Sequence, residues 1–263
     1  MLESKLATVA ERYKVLFAFR PVSFGQYSPF SMKPIPFGDF VLLEVSHSNL
    51  GGWMVVLKRI FDFVFSTTFI FLFSWLYLII FLAVKLDSKG PAFYLNERVG
   101  PNGNVFQLWK FRRLKLEYCT TDSNESALEY EQELIQKNNI KNDNGPLYKL
   151  ADDPRMTRVG KFLEKTSLDE LPQFFNVMKG DMSIVGPRPH QPREVKKYRD
   201  EHFKVLNIKP GITGMAQVNG RSDLTFEKEV FYDKYYVEHW SFWLDLWIIV
   251  KTPFVILFKR QKS

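Results

Sequence analysis

Two adjacent acids, Asp169 and Glu170, stand in the stretch TSLDELPQFFNVMKGDMSIVG at residues 166–186. They fall where a helix is expected to begin. A helix start carries unpaired N–H groups and a partial positive charge, so it favours anions and phosphates. An acid pair placed there can stay ionised, hold a divalent cation and face a phosphate. The plainer reading is a capping box, since Ser167 precedes Glu170 by three residues. Pro172 opposes that register, because it would then sit one turn inside the helix with no N–H to give. With Asp169 as N-cap, Pro172 falls in the first turn, where the donor is unpaired anyway.

Cations that could meet a phosphate occur before and after the pair. Lys110-Phe111-Arg112-Arg113 closes a strand-like run; its ordinary reading is a solvated basic face, its functional reading a phosphate-binding strand end. Gly186-Pro187-Arg188-Pro189 fixes the backbone on both sides of one guanidinium. Residues 210–214 (PGITG) and Asn219-Gly220-Arg221 are further turns that carry Arg or exposed N–H groups. Asp233, with Glu227 and Tyr236, is a polar candidate on a helix expected over 226–236.

Several elements must position these groups. Residues 63–84 form a run without charge. Twenty-two residues at ~1.5 Å each give roughly 33 Å, enough for a hydrocarbon core of about 30 Å. Lys58 and Arg59 precede the run and Lys85 follows it, so basic flanks at both ends suit entry and exit on one face. Turn signals at Gly90-Pro91, Gly100-Pro101 and Asn102-Gly103 separate strands at 92–95 and 105–109, a hairpin. Residues 116–146 read as a polar insertion, with a helix capped by Ser126 and Glu129. Val159, Phe162 and Leu163 share one face of a helix over 152–165. Phe174, Phe175, Val177 and Met178 form the buried side of the helix after the acid pair. Residues 240–259, with Trp240, Trp243, Trp247, Phe254 and Phe258 and a basic end, read as an interfacial helix. Residues 1–52 form an N-terminal arm of unassigned role, with a helical patch over 2–17, a Pro/Gly/Ser-rich segment over 21–37 and a strand-like run over 40–45.

Composition sets outer limits. Among the 263 residues, Lys and Arg exceed Asp and Glu by 36 to 29, a basic balance that suits anionic partners. The one cysteine, Cys119, excludes an internal disulfide, and no Cys/His cluster has zinc spacing. No cleavable signal pattern is expected. The fold class expected is α+β and predominantly helical. A membrane-inserted, re-entrant helix over 53–86 leads into a cytosolic catalytic domain over 87–263 that carries the hairpin and interfacial helices.

The segments KRIFDFVFS, KLDSKGPAFYLNERVG, FQLWKFR, DDPRMTRVGKFL, SLDELPQFFNVMKGDMSIVGPRP, KPGITGMAQVNGR and YYVEHWSFWLDL occur in this order. Together they resemble the bacterial sugar transferases, the monotopic phosphoglycosyl transferases that begin exopolysaccharide, capsule and glycan assembly. The resemblance covers about residues 57–252. It implies transfer of a sugar-1-phosphate from a UDP-sugar to a polyprenyl phosphate such as undecaprenyl phosphate, with release of UMP. It implies Asp169 as the nucleophile that carries a covalent phosphosugar, and Glu170 beside it holding Mg²⁺. Lys110, Arg112, Arg188 and Arg221 are implied as substrate-binding, with Asp233 a weaker candidate. The lipid bilayer is an implied partner and nucleic acid is not; a homo-oligomer stays open. The implied place is the bacterial inner membrane, with the catalytic domain on its cytoplasmic face.

Three positions depart from the family pattern. Ser74-Trp75 stands where members often have Ser-Pro, which leaves a straight span open. Glu164 stands where many carry Arg, and Arg113 stands where Thr is usual. These departures motivate a competing reading, a non-catalytic membrane-bound subunit of an assembly complex.

Overall fold

The computed structural model of the chain describes residues 31–37, 40–46, 50–119, 124–139, 145–148, 150, 153–220 and 223–259. The helix expected over 2–17 lies outside these residues. The strand-like run at 40–45 is strand β2 (Phe40–Ser46), and it pairs antiparallel with β1 (Ser31–Phe37), Ser31 against Ser46 through Phe37 against Phe40. The prolines of β1 concealed that strand from sequence. A two-stranded sheet consists of edges, where Pro34 and Pro36 are tolerated.

The long apolar run is two helices, α1 (Trp53–Leu72) and α2 (Ser74–Asp87), bent by 64° at Phe73. Among the described residues no single helix is long and apolar enough to cross a membrane, and the bent pair meets that test only together. No proline makes the bend. Phe73 still donates to the Phe69 carbonyl at 3.0 Å and accepts from Leu76 N at 2.9 Å.

The hairpin is β3 (Phe93–Val99) and β4 (Val105–Phe111), paired from Phe93–Phe111 to Val99–Val105. Both strands run a little beyond the expected bounds. Helix α3 (Glu125–Asn138) is capped by Asn124, whose side chain accepts from Ala127 N at 3.2 Å, so the cap lies two residues before the expected Ser126. Helix α4 (Arg158–Thr166) is capped by Thr157; it buries Leu163, whereas Phe162 faces outward. Helix α5 (Gln173–Lys179) buries Phe174 and Val177, with Phe175 and Met178 half-buried. The remaining elements are β5 (Ser183–Val185), α6 (Pro192–Val195), β6 (Gly211–Thr213), α7 (Met215–Asn219), α8 (Phe226–Glu238) and α9 (Phe242–Phe254). β5 and β6 pair in parallel, Ser183 with Gly211 and Val185 with Thr213. Their main core gathers Leu108, Val177, Met182, Val185, Val218, Tyr236, Trp240 and Ile248. Trp240 therefore belongs to the core and not to the outward aromatic set of residues 240–259.

The bend at Phe73 lets α1 and α2 cover two different faces. α1 runs along α5, with Phe69 stacked on Phe174 at 4.0 Å between ring centres. Arg59 donates to the carbonyls of Val177 and Met178 at 2.7 and 2.8 Å, satisfying the end of α5. α2 instead buries Tyr77, Ile80 and Val84 against Ala92, Phe111 and Leu163. The Tyr77 hydroxyl donates to the Leu171 carbonyl at 2.7 Å.

The polarity of α1 is inverted relative to a surface helix in water. Its buried residues are Lys58, Asp62 and Ser66, and Lys58 reaches Asp245 of α9 at 2.6 Å. No exposed residue from 53 to 84 is charged; Trp53, Val56, Ile60, Val64, Phe71, Trp75 and Leu78 are among those outside. α9 repeats the pattern, with Asp245 buried and Trp243, Trp247, Val250 and Phe254 exposed.

Lys58→Met would strand the Asp245 carboxylate in the interior. Breaking one half of a buried pair costs about 3–5 kcal/mol. A marked drop in thermal midpoint in detergent is expected, with most of it restored by adding Asp245→Leu; an unchanged midpoint would show that the pair does not hold α1 in place.

Candidate active site

The acid pair is delivered by a chain reversal. α4 ends at Ser167, which takes a left-handed conformation (φ 59°). A single 3₁₀ turn, Leu168–Glu170, follows, closed by Glu170 N to the Ser167 carbonyl at 3.2 Å. Pro172 is then the N-cap of α5. Neither sequence register holds as such: Ser167 makes no side-chain cap, and Asp169 lies three residues before the N-cap. The acids still stand at the mouth of a helix, and Pro172 still falls where no N–H is needed.

Asp169 is 3 % exposed, unusually deep for a carboxylate. Two cations from the end of β4 meet it. Lys110 Nζ lies 2.9 Å from Glu170 Oε1 and 3.7 Å from Asp169 Oδ2. Arg113 Nε lies 3.4 Å from Asp169 Oδ2, and its terminal nitrogen is 2.6 Å from Glu164 Oε1. Burial pushes the Asp169 carboxyl above its ordinary range, and Arg113 and Lys110 pull it back. β4 is held over the acid pair by Asn176 of α5, which accepts from Trp109 N at 2.9 Å and donates to the Gln107 carbonyl at 2.7 Å.

Among the described residues, Lys110 alone of the expected cations touches the acid pair. Arg112 is turned away and buried. It donates to the Pro91 carbonyl at 2.6 Å, to Ser88 Oγ at 2.7 Å, to the Ser88 carbonyl at 3.0 Å and to the Leu114 carbonyl at 3.1 Å. Its place as a phosphate ligand is therefore corrected: it braces the turn between α2 and β3. Arg113 takes the position at the acids. Strand alternation would have put Lys110 and Arg112 on one face, but the ladder stops at Phe111 and the chain turns there.

Arg188 is presented as expected, on a turn that packs tightly beneath β6. A side chain at Gly186 would meet the Lys209 carbonyl at 2.4 Å, which explains glycine there. The Arg188 side chain is 46 % exposed and stands 4.0 Å from Glu229 of α8. Asp233 is not in the open. It is buried, and its Oδ2 accepts from Arg188 N at 3.2 Å, so it supports the turn from behind. Its Oδ1 has no hydrogen-bond partner among the described residues. Burial raises the Asp233 carboxyl well above its usual range, and Glu229 one turn away adds like-charge repulsion. A direct substrate contact by Asp233 is thus replaced by a positioning one. Arg221 lies outside the described residues.

Sequence reasoning placed Arg113 only within the basic run at residues 110–113 and read Glu164 only as a departure from the family pattern, without linking the two. A usable signal was present: two departures of opposite charge, one near each half of the site, are what a complementary pair looks like.

Residues 53–259 match the family model described as bacterial sugar transferase. The undecaprenyl-phosphate galactose phosphotransferase of Salmonella typhimurium is 42 % identical over 220 residues, 83 % of this chain and 44 % of that protein. The UDP-glucose:undecaprenyl-phosphate glucose-1-phosphate transferase of Escherichia coli K12 is 39 % identical over 213 residues, 78 % of this chain and 41 % of that protein. The exopolysaccharide production protein ExoY of Rhizobium meliloti is 38 % identical over 196 residues, 74 % of this chain and 83 % of that protein. The chain thus spans less than half the length of the first two and most of the third.

Arg112 and Arg188 should part company on substitution. Arg112→Met forfeits four buried, charge-assisted donors and is expected to cost about 2–4 kcal/mol. Arg188→Ala, at a half-exposed side chain, should stay within about 0.5 kcal/mol. Thermal melts of both variants check this, and equal losses would contradict the two placements.

Proposed function

The chain belongs to the bacterial sugar transferase family, and on that premise we propose that it moves a sugar-1-phosphate from a UDP-sugar to undecaprenyl phosphate. The observation that carries the proposal is the buried Asp169 carboxylate held between Lys110 and Arg113. A carboxylate kept ionised in a dry site is a nucleophile for phosphorus. Asp169 attacks the sugar-linked phosphorus, the bond to the bridging oxygen breaks, and UMP leaves. The phosphate of the acceptor lipid then attacks the same phosphorus, forming the lipid diphosphosugar and freeing Asp169. Names of relatives support the donor and acceptor classes.

The donor set suits Mg²⁺. Two adjacent carboxylates, Asp169 and Glu170, offer hard oxygen ligands, and the ammonium of Lys110 already occupies the space between them as a cation would. These two acids would hold the ion, which supplies charge neutralisation at the diphosphate. Lys110 and Arg113 orient the nucleophile, and Arg188 stands exposed for an incoming phosphate. The burial of Asp169 excludes water, which would otherwise hydrolyse the phosphosugar. The pairing of Glu164 with Arg113 removes one motive for the non-catalytic alternative, because the acid does not stand alone beside the nucleophile.

Membrane seating is part of the proposal. The outward faces of α1, α2 and α9 carry aliphatic and aromatic side chains, with Lys58, Asp62 and Asp245 turned inward. Twenty residues of α1 make about 30 Å, but the 64° bend directs α2 away from a straight crossing. This supports a re-entrant pair in the inner membrane, with residues 53 and 87 on the cytoplasmic side together with the site.

Purified protein in nanodiscs, given Mg²⁺, UDP-galactose or UDP-glucose and undecaprenyl phosphate, is expected to release UMP. Asp169→Asn should lower that rate by about 10³-fold or more, and chelation of Mg²⁺ should stop it. UMP release that survives Asp169→Asn would sink the covalent route. For the membrane seat, cysteines placed at Trp53 and Leu86 should both react with an impermeant thiol reagent from the cytoplasmic side only; labelling from opposite sides would mean a spanning pair.

A further inference from the structure

Arg113 and Glu164 form a connected unit whose whole construction converges on Asp169. The main chain of Arg113 is fixed first: its carbonyl accepts from Thr157 N at 2.9 Å, just ahead of α4. Gly160 permits this closeness, since a Cβ there would lie 2.0 Å from the Arg113 carbonyl oxygen. The start of α4 is pinned in turn by Asp87 of α2, which accepts from Val159 N at 2.9 Å. Glu164 lies four residues after Gly160, so it projects from the same side of α4 one turn on. There it accepts from the terminal nitrogen of Arg113 at 2.6 Å, while Nε of the same guanidinium faces Asp169 Oδ2 at 3.4 Å.

A guanidinium is a rigid planar fork. Once Glu164 fixes one terminal nitrogen, the direction of Nε is fixed as well. We propose that Arg113 is a positioning residue for the Asp169 nucleophile, and that Glu164 supports Asp169 by steering the Arg113 guanidinium. The proposal rests on the covalent reading above and adds to it two residues with defined and unequal jobs. Arg113 holds the carboxylate through its edge, which leaves the opposite oxygen of Asp169 to the phosphorus. Glu164 touches neither Asp169 nor Lys110 in the structure's ion pairs; its partner is Arg113. A lone acid at residue 164 would repel the nucleophile and the anionic donor. As the anchor of Arg113 it does the reverse.

The experiment is a double-mutant cycle on full-length protein in nanodiscs, with UMP release from UDP-galactose or UDP-glucose as readout and thermal midpoints taken alongside. Arg113→Gln is expected to lower kcat by about 10–100-fold and to change KM for the donor by about threefold or less, since loss of one preorganised charged contact acts at the reacting centre. Arg113→Lys should recover part of that loss, because charge returns without the fork. Glu164→Gln alone should lower kcat by about 3–10-fold, and in the Arg113→Gln background it should cause no further loss, since the acid there only repels. A merely structural pair would instead lower the midpoint and leave kcat of the folded fraction unchanged. The inference fails if Arg113→Gln keeps the parent kcat while Asp169→Asn is dead. It fails equally if the Glu164→Gln loss persists in the Arg113→Gln background, since Glu164 would then act directly. Should Arg113→Gln not fold, the Lys variant and Glu164→Gln, alone and combined, close the cycle with the same criteria. An active Asp169→Asn, or a parent silent on both donors, would overturn the covalent reading and this inference with it.

Discussion

The ion pair between Lys58 and Asp245 is the constraint on which the arrangement hangs. It joins α1, at the start of the described helical core, to α9 at its end, and both side chains are almost wholly buried. Asp245 is also met by the Tyr236 hydroxyl at 2.7 Å and the Trp240 indole N–H at 3.2 Å. A buried carboxylate with three partners has its lone pairs occupied, which is the condition under which a buried pair repays its desolvation. Four residues along α1, Asp62 accepts from Ile184 N at 3.0 Å and so holds the edge of β5. The inward face of α1 thus carries its buried charges beside the ring of Phe69. The outward face is left apolar by elimination.

That clamp also sets the position of the site. With α1 fixed along α5 and α2 bent to cover Phe111 and Leu163, the end of β4 and the end of α4 are pressed together under one roof. The charged residues then have little freedom. Lys110 and Arg113 leave β4 toward the 3₁₀ turn, while Arg112 is drawn the other way into four bonds around Ser88 and Pro91. The environment of Asp169 is in this sense a consequence of helix docking as much as of the loop that bears it.

Much of this could be read from the residues. Pro172 limits where a helix can begin, so the acid pair was placed at its mouth within a few residues. Gly and Pro turns gave the β3–β4 hairpin, and apolar spacing gave Phe174 and Val177. What stayed hidden has specific causes. Alternation fails one residue past the last ladder pair, so Arg112 and Arg113 exchange the places a strand pattern would give them. Asp233 looks like any polar residue on a helix, and only packing shows that Arg188 N lies against it. The bend at Phe73 has no proline or glycine to announce it, because docking imposes it from outside the segment. Arg113 and Glu164 are 51 positions apart, too far for any local pattern to link them.

The charges gathered at Asp169 do not balance. Asp169, Glu170 and Glu164 face Lys110 and Arg113, three formal negative charges against two positive. A diphosphate entering that space would meet a net repulsion, strengthened by the low dielectric around a nucleophile so deeply buried. Lys110 cannot relieve it alone, since its ammonium is already divided between Asp169 and Glu170. One divalent cation on the two acids would turn the balance from one negative to one positive. It would also free Lys110 to turn toward phosphate oxygens. Arg188, half-exposed and braced from behind by Asp233, would add a second positive group. On this account Lys110 and Arg113 hold Asp169 in place, and a divalent cation on the two acids would supply the further positive charge.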